Sequence, residues 1–310
     1  MKIVLIGILG LGAVLFVLGV LLWTPDKPRA VLQAQYLEQS SDLIDVLGVS
    51  LHVRDRGPPD GPVLIMMHGF GSSLHTWDAW AEELTDRFRV IRFDLPGSGL
   101  SMPDPTGNYS DFRTLDILTT LMDQLGVEKA AMIGNSIGGR LAWQMAAKFP
   151  ERVTKLVLIS PDGYASHGFD YGKAPDVPLT IHLMRYFLPK FMVKMNLQPA
   201  YGDPNRFSAE TVDRYYDLML APGSRQALIH RMEQTVLVDP DPILATIEVP
   251  VLLVWGEKDA MIPISNAADY QRVLRNSTLV RLEGLGHVPQ EEAPEISLPP
   301  VRAFLEPRLG

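Results

Sequence analysis

Apolar positions fall into three patterns along this chain, and each predicts a different kind of element. The first is an unbroken run. Residues 3–23 carry no charge and are almost wholly apolar. About 20 such residues cross the hydrocarbon core as a helix, so the run predicts a membrane-spanning segment. A cleaved signal peptide would need a shorter apolar stretch and a small-residue cleavage site, which Thr24-Pro25-Asp26-Lys27-Pro28 supplies only poorly. Residues 29–38 read as an amphipathic continuation of that helix, with Ala30, Val31, Ala34 and Leu37 on one face.

The second pattern alternates short strands with helices. Two alternating runs, 43–47 and 50–54, are split by Gly48 and predict a hairpin. Residues 63–67 are continuously apolar, as a strand buried on both faces should be. There follow a helix over 77–88, a strand over 90–94 and a helix over 110–125 closed by Gly126. A strand over 130–133, a helix over 137–149 stopped by Pro150 and a strand over 155–159 come next. The rhythm resumes late in the chain with strands at 251–255 and 278–282, a helix at 265–274 and a last helix near 300–305. Such an α/β rhythm implies a mostly parallel sheet covered by helices on both faces.

The third pattern interrupts the second. Residues 164–240 show no clear strand and carry helix-like segments rich in methionine and aromatics, such as 181–195. An insertion of this kind predicts a helical cap, or lid, over the carboxyl edge of the sheet. The expected organisation is a membrane and juxtamembrane segment at 1–38, an α/β core at 39–163 and 241–310, and the cap at 164–240.

Bulk composition narrows the function classes. Apolar content of 46% and charged content of 21% over 310 residues suit a folded globular protein. A formal charge of −8 argues against a nucleic-acid partner and against docking on anionic lipid through charge. The absence of cysteine excludes disulfides, thiolate catalysis and cysteine-ligated metals.

Candidate chemistry centres on Gly134-Asn135-Ser136-Ile137-Gly138, between the 130–133 strand and the 137–149 helix. That is the context a G-x-S-x-G nucleophile elbow requires, with the serine exposed on a strained turn. A serine at its ordinary pKa needs a base beside it and a third group orienting that base. His287, after the last strand in Glu283-Gly284-Leu285-Gly286-His287, is the candidate base. His52, His75, His167, His182 and His230 lack such a context and read as structural or exposed. Asp259, in Gly256-Glu257-Lys258-Asp259, is the favoured acid, with Asp162 and then Glu257 as rivals. Oxyanion donors are expected from the backbone N–H of Ile137 and from Phe70 in His68-Gly69-Phe70-Gly71.

From about Leu43 to Leu305 the chain resembles the α/β-hydrolase superfamily. The motifs that carry the resemblance are His68-Gly69-Phe70-Gly71, Asp94-Leu95-Pro96-Gly97-Ser98-Gly99, Gly134-Asn135-Ser136-Ile137-Gly138-Gly139, Trp255-Gly256-Glu257-Lys258-Asp259 and Gly286-His287. It implies an eight-stranded core, a cap after the sixth strand, and no metal or organic cofactor. It also implies Ser136 as nucleophile, Asp259 as acid, His287 as base, and Phe70 with Ile137 as oxyanion donors. A serine at the elbow sets the chain apart from the haloalkane dehalogenase and epoxide hydrolase branches, which use aspartate there.

As a whole the chain is most similar to bacterial membrane-anchored phospholipases A, lysophospholipases and carboxylesterases. That resemblance implies a lipid or ester substrate, with the cap's methionines and aromatics lining an adaptable acyl tunnel. Carbon–carbon bond hydrolases of aromatic ring-cleavage products share the elbow, perhydrolases share the triad, and a non-catalytic lipid-binding scaffold is the reading from another class. The expected partners are the substrate and the bilayer. Gly7, Gly10, Gly12 and Gly19 would permit a homodimer through the membrane helix without showing G-x-x-x-G spacing. Lys2 and the amino terminus slightly outweigh the net charge of the distal flank, although Lys and Arg alone are balanced. The expected location is a single pass of the inner membrane with the catalytic domain on the periplasmic side.

Overall fold

Alternate residues of the apolar runs end up in two different cores, one on each face of a single sheet. The computed structural model describes residues 17, 19–166 and 169–306. Eight strands are present: β1 (Leu43–Val46), β2 (Val49–Arg56), β3 (Val63–Met67), β4 (Arg89–Phe93), β5 (Ala130–Asn135), β6 (Val153–Ile159), β7 (Val251–Gly256) and β8 (Ser277–Leu282). They order as β1-β2-β4-β3-β5-β6-β7-β8. β2 pairs antiparallel with β1 and β4, and every other pairing is parallel.

In β3, Ile65 and Met67 point into one core while Leu64 and Met66 point into the other. The same division holds for Leu156 and Leu158 against Val157 and Ile159 in β6. This is why the inner strands read as continuous apolar runs rather than as alternating ones. The helices Asp111–Gln124, Ile137–Lys148 and Ser265–Val273 cover the first face, through residues such as Leu118, Leu141 and Tyr270. Asp78–Leu84 and Pro294–Leu305 cover the second, through Trp80, Leu84, Leu298 and Val301.

Between β6 and β7 the described chain is mostly helical, with helices at Leu179–His182, Lys190–Leu197, Ala209–Met219, Ser224–Gln234 and Asp241–Leu244. Met184, Leu188, Val193, Tyr215 and Leu220 form a small core of their own there. Met192 and Met195 do not share in it. Helical periodicity turns them outward with Leu179, Leu183, Tyr186 and Phe191, all of them exposed, so the expected tunnel-lining role does not extend to these two methionines.

Three other expectations change. The helix expected over 77–88 begins as a 3₁₀ turn at Leu74–Trp77 and ends at Leu84. The last helix starts at Pro294 rather than near 300 and contains Pro299 and Pro300. Those two prolines leave the carbonyls of Glu295 and Ile296 without helical donors, on a face where both residues are exposed to water. The stretch at 29–38 is not a continuation of an upstream helix. Residues 23–28, with Pro25 and Pro28, are non-helical, and a separate helix runs Arg29–Tyr36. Its buried residue is Leu32, packed on Leu100, Leu218 and Ala221, while Val31 faces out.

Most of the apolar run 3–23 lies outside the described residues, as does His167. Among the described residues, no helix is long and apolar enough to cross a membrane. Trp23 stacks on Tyr186 at 5.7 Å between ring centroids, so it is packed against the β6–β7 helices. Thr24 N–H donates to the Tyr186 carbonyl at 2.8 Å, and Asp26 and Lys27 pair with Arg225 and Asp217.

Candidate active site

Parallel strands deliver their carboxyl ends to one edge, and the singled-out residues all leave the sheet there. His68 follows β3, Asp94 follows β4, Ser136 follows β5, Asp259 follows β7 and His287 follows β8. Ser136 occupies the turn into the helix Ile137–Lys148 with φ +57° and ψ −121°, a conformation few non-glycine residues adopt. The turn is sharp enough that the helix start touches a neighbouring strand. A Cβ on Gly138 would lie 2.1 Å from the Met67 carbonyl oxygen, which is why glycine is required there.

The candidate acid and the candidate base meet. His287 Nδ1 lies 2.7 Å from Asp259 Oδ2, and both side chains are buried. An ionised carboxylate only accepts, so Nδ1 carries the proton and Nε2 is left bare as a base. The other Asp259 oxygen, Oδ1, accepts the N–H groups of Met261 and Ile262, each at 2.8 Å. Burial acts to raise the Asp259 carboxyl, but His287 and the Ile262 N–H outweigh it. Together they hold the group below its ordinary value. The rival acids are committed elsewhere: Asp162 pairs with Arg140, and Glu257 with Arg281 at 2.9 Å.

Ser136 and His287 are held near one another through Asn135, whose Nδ2 donates to the His287 carbonyl at 2.9 Å. The Ser136 hydroxyl makes no hydrogen bond to His287. The backbone of His287 is fixed by the Ala200 carbonyl, which its N–H reaches at 2.7 Å. The preceding Gly286 N–H donates to Glu292 at 2.7 Å.

The third expected part is also next to the serine. A Cβ built on Gly69 would lie 3.2 Å from Ser136 Cβ, so the His68-Gly69-Phe70-Gly71 loop borders the elbow. Among the described residues, neither the Phe70 N–H nor the Ile137 N–H has a hydrogen-bond partner. For Ile137 this follows from its place in the first helical turn, where N–H groups have no intrahelical acceptor. His68 sets the loop: its Nδ1–H donates to the Gly69 carbonyl at 2.8 Å and its Nε2 accepts the Leu95 N–H at 3.0 Å. Burial drives its pKa down and keeps it neutral in that double role. Asp94 is a second organiser, accepting from His52 Nδ1 at 2.8 Å, Leu74 N–H at 2.7 Å and Leu100 N–H at 2.9 Å.

The sequence reading missed the supporting roles of Asn135, His68 and Glu292. Asn135 and His68 do stand inside quoted motifs. Glu292 carried no signal, because it accepts backbone N–H groups, those of Gly286 and Asp203, which no side-chain motif marks.

The family model for the alpha/beta hydrolase fold matches residues 62–294, and the chain belongs to that family. An uncharacterized hydrolase of Bacillus subtilis, YugF, is 26% identical over 269 residues, covering 84% of this chain and 95% of YugF. A solved membrane phospholipase A, described as a bacterial virulence factor, superposes with a TM-score of 0.74 at 26% identity and covers 98% of both chains. A thermophilic esterase from Thermogutta terrifontis superposes with a TM-score of 0.71 at 26% identity, covering 85% of this chain and 96% of the esterase.

Proposed function

We propose that this chain is a serine ester hydrolase, anchored to a membrane through residues 3–23 and acting on phospholipid or lysophospholipid acyl esters. The observation that carries the reading is the buried Asp259–His287 pair, with a bare Nε2, beside a strained serine and two unpartnered N–H groups. In this reading His287 Nε2 takes the Ser136 proton as the hydroxyl attacks the ester carbonyl. The N–H groups of Phe70 and Ile137 then receive the oxyanion. His287 protonates the departing alcohol or lysolipid, activates water, and the acyl-enzyme is hydrolysed.

The lipid substrate is supported by three features. The apolar run at the amino terminus is long enough to span a bilayer. The described chain just after it is fastened to the helices between β6 and β7, whose outer side exposes Leu179, Leu183, Tyr186, Phe191, Met192 and Met195. Patches of that kind mark surfaces that meet lipid or protein. The membrane phospholipase A covers nearly the whole chain, including this amino-terminal region.

Labelling by a serine-reactive fluorophosphonate tests the mechanism. Full-length protein should label at Ser136 and the Ser136→Ala variant should not. A wild-type protein that stays unlabelled would favour a non-catalytic lipid-binding scaffold.

A further inference from the structure

The loop that carries Phe70 is a four-residue turn, closed by the Ser72 N–H on the Gly69 carbonyl at 3.3 Å. Gly71 supplies the positive φ, +67°, that the third residue of such a turn takes. His68 pins one end of the turn. At the other end Ser72 Oγ lies 3.1 Å from the Tyr215 hydroxyl, on the helix Ala209–Met219. Tyr215 in turn lies 2.9 Å from Glu291 Oε2, and Glu291 also pairs with Arg214. Glu291 stands four residues after His287, in the short helix Pro289–Glu292.

Donor counting orients this chain of bonds. The Glu291 carboxylate only accepts, so the single Tyr215 proton goes to it, and Ser72 must donate to Tyr215. A small cavity lined by Gly71, Ser72, Ser73, Tyr215 and Leu218 borders the turn on that side.

We propose that Tyr215 is a positioning residue for the oxyanion loop. The directed chain Ser72–Tyr215–Glu291 ties the turn that aims the Phe70 N–H to the helix that follows His287, so that seating of the β6–β7 helices sets the oxyanion hole. This rests on the reading of Ser136 as the nucleophile of an ester hydrolase. Removing an oxyanion donor outright costs about 10²–10³ in kcat, and a donor left in place but untethered should cost about tenfold.

The test compares wild type, Tyr215→Phe, Ser72→Ala, the double variant and Ser136→Ala on a soluble short-chain ester, alongside amide hydrogen exchange over 69–73. The expectation for Tyr215→Phe is a kcat about tenfold lower, KM within about twofold, and exchange of the Ser72 N–H about tenfold faster, as loss of one hydrogen bond implies. Ser72→Ala should match it, and the double variant should be no worse than the worse single. Unchanged kcat and exchange, or losses that multiply and fall on KM, would overturn the proposal, because Tyr215 would then only fill space. Turnover surviving in Ser136→Ala would defeat the ester-hydrolase reading instead, and the exchange data would still decide whether the tether exists.

Discussion

Replacing Asp259 by asparagine separates the electrostatic role of this group from its structural one. The orientation of the new amide is dictated by its neighbours. Met261 and Ile262 both direct N–H groups at Oδ1 from 2.8 Å, so the amide oxygen must take that place. The amide nitrogen then faces His287 Nδ1, where the carboxylate now sits at 2.7 Å. It can only donate, which forces Nδ1 to accept and puts the imidazole proton on Nε2. A base holding its proton on the side facing Ser136 cannot take another. The wrong tautomer in a comparable triad costs ~10⁴ in kcat, or about 5.5 kcal/mol of activation free energy. All three hydrogen bonds remain, so stability should change by no more than about 1 kcal/mol. Asp259→Ala should instead leave two N–H groups unsatisfied and cost about 2–4 kcal/mol in folding. The assay is kcat on a soluble ester near pH 8, with urea denaturation of both variants. An asparagine variant within tenfold of wild type would refute the assignment of Asp259 as the group that fixes the histidine tautomer.

Other predictions follow from single positions. Ser136→Gly removes a side chain from φ +57°, so it should abolish turnover yet raise stability by about 1–3 kcal/mol in denaturant titrations. Gly138→Ala places a methyl 2.1 Å from a strand carbonyl, and denaturation should show a loss of about 3 kcal/mol or no folded protein at all. His75 is buried, with Nε2 accepting from Arg54 at 3.2 Å and Nδ1 facing Ser73 Oγ at 3.1 Å, and burial pushes its pKa down to about 4. The unfolded chain therefore takes up that proton first, near pH 6.5. Stability is full above that pH and falls by about 3 kcal/mol between pH 6.5 and 4. The His75→Gln variant should show a flatter stability profile over that window.

Parts of the molecule that rest on local pattern were legible in the sequence. Residues 63–67 form β3 with the bounds their continuous apolar run implies, and Ser110 caps the helix Asp111–Gln124 through the Arg113 N–H, as an amino-terminal serine should. Ser136, Asp259 and His287 could be picked out because each lies just past a strand end in a Gly-containing turn. Asp259 and Asp162 both follow parallel strands, and their contacts separate them: Asp259 meets His287 at 2.7 Å, whereas Asp162 pairs with Arg140. The last helix reaches back through Pro299 and Pro300, because the carbonyls their rings leave free belong to the exposed residues Glu295 and Ile296. The bridges from Asn135 to His287, from Tyr215 to Glu291 and from Trp23 to Tyr186 join residues distant in the chain. No local periodicity encodes them.

The central claim is that this constellation hydrolyses lipid acyl esters. Its most direct test is fatty-acid release by detergent-solubilised full-length protein from a diacyl phospholipid, its lysolipid and a soluble short-chain ester. Turnover of at least one lipid, absent in Ser136→Ala, is the predicted result. Turnover of the soluble ester alone would contradict the lipid substrate, and release from lipid that persists in Ser136→Ala would contradict the mechanism.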